Sequence, residues 1–441
     1  MGKRVILYGF GGKFCFLLVL ASMVSSFGLD EESISKENDL EIERKLEMLN
    51  KPAVKSIQSE DGDVIDCVDI YKQPSLDHPA LKNHNIQMTP TITYPKTESV
   101  DTRNNASRSV SQVWQKSGSC PEGTIPIRRI QKQDLLRAGS LDRYGMKSPY
   151  VFSNPNNTVY DITPNKTHNF NYLNQTGVSD ASYSPYSNRS LAVLLTLGYN
   201  YTGARGEISV WNPQVEIPEG PDREYSAAQI WVANGDYLDE SIEAGWIVHP
   251  HNYGDNATRF FIYWTVDNSG TGTGCFNLLC PGFVQTNNEI VLGGKLDVSS
   301  FEGQQYHMSL FIYWDNNTQC WWLEYDGKQV GYWPSELFGA LKQSAATVQW
   351  GGEVQSNFLS QRKTNHTHTS AKMGNGIEAL HHYSAWIRNI KIIDNSTVEK
   401  YPEWVHEYMD EPDCYSSYNW VENVEEPVFY FGGPGRSPKC P

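Results

Sequence analysis

From Trp211 onward the chain alternates short hydrophobic runs with clusters of Gly, Asn, Asp and Pro. Runs that are rich in aromatic and β-branched residues are typical of strands. The predicted strands are residues 229–232, 259–266, 289–292, 307–314, 321–325, 330–333 and 385–393. Asp326-Gly327 between two of them indicates a tight hairpin, and Phe-Ile-Tyr-Trp recurs at 261–264 and 311–314, as equivalent strands of two sheets could. The fold class predicted is all-β, an antiparallel sandwich or barrel.

The chain before residue 189 has a different pattern. Residues 29–51 are acidic and carry Ile42, Leu46 and Leu49 at helical spacing, which predicts an amphipathic helix. Residues 66–130 contain several prolines and two cysteines and indicate a smaller mixed domain. Residues 153–188 are rich in Asn, Ser, Pro, Thr and Tyr without periodicity, which predicts an exposed linker open to proteases.

Two strand-like segments each contain one acid among hydrophobic and aromatic residues. Because side chains alternate along a strand, Glu243 shares a face with Gly245, and Glu353 shares a face with Gly351. A glycine beside each acid is expected to leave open space, as a substrate cleft requires. A pair of solvated surface acids or strand-end ion pairs explains the same pattern, and parity alone leaves both interpretations open.

Composition indicates export. The formal net charge of −15 argues against nucleic acid or an anionic membrane as a partner. Lys3 and Arg4 precede a short apolar run and small residues, which predicts a signal peptide over 1–27. After its removal no later segment is long enough to span a membrane. Ten glycosylation sequons fit an exported protein, at Asn105, Asn156, Asn165, Asn174, Asn188, Asn200, Asn256, Asn316, Asn365 and Asn395.

Seven cysteines follow the predicted signal peptide, which in an oxidising compartment suggests three disulfides and one remaining thiol. Sequence alone does not determine the pairing. Proximity and domain membership favour Cys275–Cys280, Cys414–Cys440 and Cys67–Cys120, with Cys320 left over.

Other catalytic and metal-binding signatures are missing from the sequence. The histidine pairs at 249/251, 366/368 and 381/382 lack the spacing of zinc ligands, and there is no Gly-x-Ser-x-Gly motif. The glycine-rich run 270–274 leads directly into Cys275 and is better explained as a disulfide-closed turn than as a nucleotide loop. We therefore expect neither a metal nor another cofactor.

The carboxylate pair is the leading catalytic hypothesis. Two carboxyls facing one water can divide the work, because the ionised one takes a proton from water while the protonated one donates a proton to the substrate. Like charges at short range keep one proton on the pair, so activity should peak in acid. The same pair can also cleave glycosides, and this chemistry alone does not choose the substrate.

Several long motifs occur in order along the chain. They are Ile65-Asp-Cys-Val-Asp-Ile-Tyr-Lys-Gln-Pro74, Cys120-Pro-Glu-Gly-Thr-Ile-Pro-Ile-Arg-Arg129, Ser241 to Trp246, Gly274-Cys-Phe-Asn-Leu-Leu-Cys280 and Trp350-Gly-Gly-Glu353. The first two are similar to the activation peptide of the plant neprosin family, and the last three are similar to its peptidase domain.

The resemblance implies a secreted zymogen whose β-sandwich peptidase domain acts as a glutamic endopeptidase that cleaves after proline. It places the two catalytic glutamates at Glu243 and Glu353, implies the disulfides Cys275–Cys280 and Cys414–Cys440, and makes the activation peptide the intramolecular inhibitor. Trp246 and Trp350, with Gly245 and Gly351, are candidate cleft residues, because tryptophan is a natural stacking surface for proline.

We therefore predict a signal peptide (1–27), an activation-peptide domain (28–152), a glycosylated linker containing the processing region (153–188) and a peptidase domain (189–441). A peptide or protein is the expected substrate, the chain is expected to be a monomer, and the expected location is extracellular or vacuolar. Two alternatives remain at this stage. One is an extracellular glycan-binding or glycan-cleaving sandwich, and the other is a non-catalytic family member whose cleft stays closed.

Overall fold

The structure is a computed structural model that describes residues 38–94, 108–138, 140–147, 188–216, 224–235, 239–267, 273–359, 367–380, 383–422 and 424–441. It forms two units, residues 1–50 and residues 51–441. The first contains the predicted amphipathic helix, α1 (38–49), on which Ile42 is buried. The predicted signal peptide and nearly all of the predicted linker lie outside the described residues. None of the described helices is long and apolar enough to cross a membrane.

The described residues of the second unit form strands, two short α-helices and five 3-10 helices. The α-helices are α2 (Lys132–Arg137) and α3 (Pro250–Tyr253), and the 3-10 helices are Ile70–Lys72, Pro74–Asp77, Pro79–Leu81, Val113–Lys116 and Ser335–Leu337. The strands are β1 (Ala53–Gln58), β2 (Val64–Asp69), β3 (Arg108–Ser109), β4 (Thr124–Arg128), β5 (Arg189–Tyr201), β6 (Gly203–Ser209), β7 (Tyr225–Asn234), β8 (Glu240–Val248), β9 (Thr258–Thr265), β10 (Cys275–Phe276), β11 (Val284–Gln285), β12 (Tyr306–Asp315), β13 (Cys320–Tyr325), β14 (Lys328–Pro334), β15 (Ala345–Gln355), β16 (Ala385–Ile393), β17 (His406–Met409), β18 (Ser416–Trp420) and β19 (Val428–Gly432).

Two large antiparallel sheets pack face to face, so the predicted sandwich is confirmed. One has the order β10-β9-β8-β7-β15-β5-β17, and the other has the order β11-β14-β13-β12-β6-β16-β19-β18. Trp246 on β8 and Trp350 on β15 are fully buried between the sheets. Their indole N–H groups donate to the carbonyl oxygens of Ser209 and Arg205 on β6, at 2.9 and 3.0 Å. These bonds tie the first sheet to the second through its core.

Most of the predicted strands lie inside observed ones. The two Phe-Ile-Tyr-Trp segments fall on β9 and β12, one in each sheet, and the Asp326-Gly327 turn joins β13 to β14 with positive φ at both residues. Residues 289–292 do not form the predicted strand. The side chain of Gln112 instead bonds both the N–H and the C=O of Val291, at 2.8 and 2.7 Å, and so replaces the pairing that a strand would need.

A smaller domain precedes the sandwich and packs on it. Its sheet has the order β1-β2-β4 and is linked to the following loop by the disulfide Cys67–Cys120. Its strand β3 pairs in parallel with the first two residues of β12. The side-chain amide of Gln73 also donates to the carbonyl oxygen of Gln285 at 3.1 Å and accepts from its N–H at 2.8 Å. The predicted small mixed domain is therefore present within residues 51–147, and it is tied to the sandwich by backbone and side-chain bonds.

The cysteines pair as proximity favoured. The disulfides are Cys67–Cys120, Cys275–Cys280 and Cys414–Cys440. Cys320 is a buried thiol on β13, and burial raises its pKa to about 12. That value leaves almost none of the thiolate that a nucleophilic cysteine needs.

Five of the ten predicted sequons lie among the described residues. Those at Asn200, Asn256, Asn316 and Asn395 are exposed, and Asn188 is half-buried. The other five lie outside the described residues. The exposed four are positioned where a glycan could be accommodated, and glycosylation itself stays a prediction.

Candidate active site

The fold brings Glu243 and Glu353 to one place on the outer face of the first sheet. Glu243 is on β8 and Glu353 is on β15, and the two strands flank β7. Only 4% of Glu243 and 1% of Glu353 is exposed. A pair of solvated surface acids is therefore excluded.

Gln229 on the intervening strand β7 joins the two acids. Its amide nitrogen Nε2 donates to Oε2 of Glu243 at 2.8 Å and to Oε2 of Glu353 at 3.0 Å. The other oxygen of each acid has its own donor, because Ser241 Oγ lies 3.0 Å from Glu243 Oε1 and the Tyr225 hydroxyl lies 2.7 Å from Glu353 Oε1. These bonds hold both Oε2 atoms toward a common point.

Lys147 of the preceding domain occupies that point. Its Nζ lies 2.6 Å from Oε2 of Glu243 and 2.8 Å from Oε2 of Glu353, and 1% of the side chain is exposed. The ammonium also lies 5.1, 5.8 and 6.0 Å from the ring centres of Tyr263, Tyr225 and Phe276. The charge is thus neutralised by two carboxylates and faced by three aromatic rings.

The chain that carries Lys147 is fixed to the sandwich just before this residue. The N–H of Phe276 donates to the carbonyl oxygen of Gly145 at 2.7 Å. Gly145 has φ of +82°, and a Cβ there would lie 2.7 Å from Leu279. Only glycine satisfies both the backbone conformation and this close approach, so the residue sets the path by which Lys147 enters the site.

A second cation lies beside Glu353. The guanidinium Nε of Arg189 lies 3.5 Å from Glu353 Oε1. Burial alone would raise the pKa of Glu353, but Lys147 and Arg189, together with hydrogen bonds from Lys147 and Tyr225, lower it below its usual value. Glu353 is therefore held ionised more firmly than an ordinary glutamate.

Comparison with known families decides the identity of the chain. Residues 222–434 match the neprosin family model, and residues 56–174 match the model of the neprosin activation peptide. The chain belongs to the neprosin family. It is a peptidase zymogen in which the activation peptide is the intramolecular inhibitor. In this neprosin-family chain Lys147 lies within the activation-peptide match, whereas Glu243 and Glu353 lie within the peptidase match.

Solved structures show weaker likeness. Crystal structures of scytalido-glutamic peptidase with a peptide-based transition-state analogue and with a transition-state analogue inhibitor are 8% and 7% identical, with TM-scores of 0.27 and 0.30. The alignments cover 56% and 55% of this chain and 98% of each of those chains. CG-16, a homodimeric agglutinin from chicken liver, is 9% identical with a TM-score of 0.19, over 37% of this chain and 95% of that one. Similarities of this strength do not bear on function.

The glycines beside the acids do not leave open space in this neprosin-family chain, so that expectation is wrong. A Cβ on Gly245 would lie 2.0 Å from the carbonyl oxygen of Ala228, and one on Gly351 would lie 2.3 Å from that of Ala192. Both glycines permit close approach of neighbouring strands. Their contribution to the site is therefore the spacing of the strands that carry the acids.

The two tryptophans proposed for the cleft are not there. Trp246 and Trp350 point into the core between the sheets, on the side opposite the acids. Tyr225, Tyr263 and Phe276 are the aromatic residues that face the site. The strand register explains why Tyr225 and Tyr263 face the site. Tyr263 pairs directly with Glu243, and Tyr225 lies two residues from Ala227, which pairs with Glu353. Given this register, strand parity places both tyrosines on the same face as the acids.

One cluster among the described residues has the spacing of metal ligands, namely His368 with Cys414 and Cys440. The two sulfurs of that cluster are joined in a disulfide, which leaves the histidine as its one available ligand. His366, His381 and His382 lie outside the described residues.

Proposed function

We propose that this chain is an exported glutamic endopeptidase that hydrolyses peptide bonds in acid through Glu243 and Glu353. The observation that supports the proposal is the single atom, Lys147 Nζ, at hydrogen-bond distance from both carboxylates. A nitrogen with hydrogen bonds of this length has nearly the same size as a water oxygen. When Lys147 leaves, a water at the same point is within reach of both acids.

The surroundings of the two acids suggest different roles. Arg189 and the Tyr225 hydroxyl belong to the peptidase domain and favour the ionised form of Glu353 after Lys147 has gone. Two adjacent carboxylates share one proton in acid, and we assign that proton to Glu243, the partner of Glu353. Glu353 accordingly takes the proton of the attacking water as general base, and Glu243 protonates the substrate as general acid.

The propeptide prevents this reaction by filling the position of the water. As pH falls below 4.5, the ordinary pKa of a glutamate, Glu353 keeps its charge until its lowered pKa is reached. The stabilising free energy of the Lys147 contact is thus fully present above pH 4.5 and is lost as pH falls through the lowered pKa of Glu353. Acid should release the propeptide, and cleavage within 153–188 should then make the release permanent. Incubation of the purified proprotein at pH 3 to 4 tests autoactivation, and the full-length band persisting unchanged would overturn it.

Preference for proline is part of the proposal because of the family resemblance and the flat rings around the site. Tyr225, Tyr263 and Phe276 offer apolar faces on which a proline ring can pack once the lysine has left. Export is proposed from the predicted signal peptide, and it agrees with three disulfides and four exposed sequons.

The test is peptide hydrolysis by acid-treated protein over pH 2.5 to 7, with a proline-containing peptide library. Wild type should cleave, with cuts clustered after proline, and Glu243→Gln and Glu353→Gln should each be inactive. Glu336→Gln, at an exposed acid, is the matched control and should keep full activity. Cleavage that survives both dyad substitutions would refute the proposed mechanism, and a folded, processed but inactive wild type would favour a non-catalytic role.

A further inference from the structure

The pocket around Lys147 is built for a primary ammonium group rather than for a lysine residue as such. An ammonium has three N–H donors, and two of them reach Glu243 and Glu353. The rings of Tyr225, Tyr263 and Phe276 face the same charge, and nothing in these contacts involves the lysine backbone. The recognition chemistry is therefore that of any unhindered alkylammonium ion.

Peptide hydrolysis creates such an ion at this place. The oxygen of water bonds to the carbonyl carbon, the carbon–nitrogen bond breaks, and its electron pair stays on the nitrogen, which takes a proton from the acid pair. The amine released has a pKa near 8 and therefore takes a second proton at the pH of the reaction. The product is a primary ammonium beside two carboxylates, unless the residue after the cut is proline, which gives a secondary one.

We propose that Lys147 inhibits as a mimic of the leaving-group ammonium, and that the vacated pocket binds primary alkylammonium ions, including the amino-terminal ammonium of the product. The catalytic half of this inference rests on the function proposed above, whereas the binding half does not. The groups facing the ammonium are Glu243, Glu353, Arg189, Gln229, Ser241 and the Tyr225 and Tyr263 side chains.

Binding should weaken in acid because its strength comes from the two carboxylates. When either acid gains a proton, one ion pair is replaced by a neutral contact while Arg189 continues to repel the ligand. The product ammonium should consequently leave readily in acid and be retained near neutral pH. Protonation of the carboxylates would thus release both the propeptide lysine during activation and the product ammonium after each turnover.

The first experiment uses the full chain with Lys147→Ala, which removes the equivalent of n-propylammonium from a buried site. Buried cavities of this kind bind small molecules that match the deleted group. Titration calorimetry with n-propylammonium chloride at pH 6 should give saturable binding with a Kd on the order of 1 mM, a strength consistent with so few atoms. At pH 3 the affinity should be at least ~10-fold weaker, since a tenfold change corresponds to one charge contact.

The controls separate the ammonium site from general salt or solvent effects. Lys147→Met fills the same volume without a donor and should not bind n-propylammonium. Tetramethylammonium chloride has no N–H, and 1-propanol has no charge, so neither should bind Lys147→Ala. Equal binding of n-propylammonium to both variants, or equal binding of 1-propanol to Lys147→Ala, would overturn the inference. If Lys147→Ala does not fold alone, its refolding yield in n-propylammonium against tetramethylammonium becomes the readout, and equal yields overturn the inference.

The second experiment tests the product relationship with acid-activated wild type. A peptide with a free amino terminus should inhibit competitively at pH 5, and the same peptide with an acetylated amino terminus should inhibit at least ~10-fold less. Equal inhibition by the two peptides would refute the product-mimic assignment. Amine binding by a chain that cleaves no peptide would overturn the proposed function and leave the ammonium site supported. Peptide cleavage without amine binding would overturn the ammonium site and leave the proposed function supported.

Discussion

Gln229 is the residue that turns two separate glutamates into one unit, because its single amide group donates to both. It holds the two Oε2 atoms toward the position that Lys147 fills, and it favours their ionised forms. We infer that it is a positioning residue for the proposed reaction rather than a catalytic one.

Gln229→Met should therefore lower kcat by about 100-fold with little change in KM, as expected when a preorganised hydrogen bond is removed. The acidic limb of the pH profile should also move to higher pH, because the carboxylates lose a donor that favours their charge. Gln349→Met, on β15 with Glu353, is the control and should change neither quantity. A Gln229→Met enzyme with an unshifted profile would show that the residue only supports the fold.

At this scale the sequence predicted part of the site for a clear reason. Strand alternation is local, so it placed Glu243 and Glu353 each on the same face as a neighbouring glycine and made the two acids catalytic candidates. Lys147 is 96 and 206 residues away from these partners, and no local pattern connects it with them. The sequence alone does not distinguish Gln229 from an ordinary polar strand residue. The register of β7 with β8 and β15 places it between the two acids.

At the scale of the elements, the spacing of β7, β8 and β15 depends on glycine. Gly245 lies opposite Gln229, and a Cβ there would meet the backbone of Ala228. Gly245→Ala should lower the free energy of unfolding by about 3 kcal/mol, since the backbone at the centre of a sheet cannot move aside easily.

Urea denaturation at pH 5 measures this change. Gly303→Ala is the control, because Gly303 is exposed and its nearest neighbour is the Ser300 hydroxyl, a short side chain that can move. A loss below about 0.5 kcal/mol for Gly245→Ala, the size of an ordinary surface effect, would support the open cleft predicted from the sequence and contradict the close approach seen here.

A second contact between elements joins the propeptide to the sandwich. Asp63 of the propeptide bonds Arg128 of β4 and Arg259 of β9, and both guanidinium groups lie within 5.4 Å of the Tyr253 ring centre. Asp63→Asn leaves two buried cations with one carboxylate partner fewer, so the propeptide should be released at a higher pH than in wild type.

The measurement is the pH at which half of the proprotein is converted during a fixed incubation. Asp77→Asn is the control because Asp77 pairs with Lys51 at the surface, where an ion pair contributes little. Conversion at the wild-type pH in Asp63→Asn would mean that this cluster stabilises the fold without controlling release.

The predicted strands are correct where the backbone hydrogen bonds are made within the peptidase domain. The strand predicted at residues 289–292 is wrong, because the side chain of Gln112 in the propeptide bonds the backbone there. The hydrophobic pattern was right there, but the partner came from a different domain, which periodicity does not reveal.

For the molecule as a whole, two half-buried acids favour a mildly acidic medium. Burial raises the pKa of Asp326 and of Asp410 to about 6, despite hydrogen bonds that favour their charged forms. A folded pKa above the usual value contributes stability that is complete below the unfolded pKa and is lost as pH rises through about 6. These two acids should thus make the fold less stable at pH 7.5 than at pH 5, whereas His78 and His84, whose pKa values burial lowers, act in the opposite direction.

Asp410→Asn should remove part of the stability loss that occurs as pH rises through about 6. The amide can accept from the N–H of Leu191 and donate to the Tyr408 hydroxyl, which are the present partners of Asp410. We expect the variant to be more stable than wild type by about 2 kcal/mol at pH 7.5 and nearly equal to it at pH 4, on the scale of 1.4 kcal/mol per pKa unit.

Thermal denaturation at both pH values measures the effect. Asp394→Asn is a control of opposite sign, because hydrogen bonds from Ser396 and Lys400 lower the pKa of Asp394 to about 2, so its charge stabilises the fold at pH 7.5. Equal pH dependence of Asp410→Asn and wild type would show that Asp410 does not titrate in this range.

The contact between Lys147 and the two glutamates has a consequence for how such an enzyme can diversify. In the proposed mechanism, inhibition and catalysis use the same carboxylate oxygens, so a change on the peptidase side should alter latency and turnover together. The propeptide residues around Gly145 and Asp63 take no part in the reaction after removal, so they can vary with little catalytic penalty. Related enzymes could therefore acquire different activation thresholds through their discarded segment while their catalytic centre stays the same.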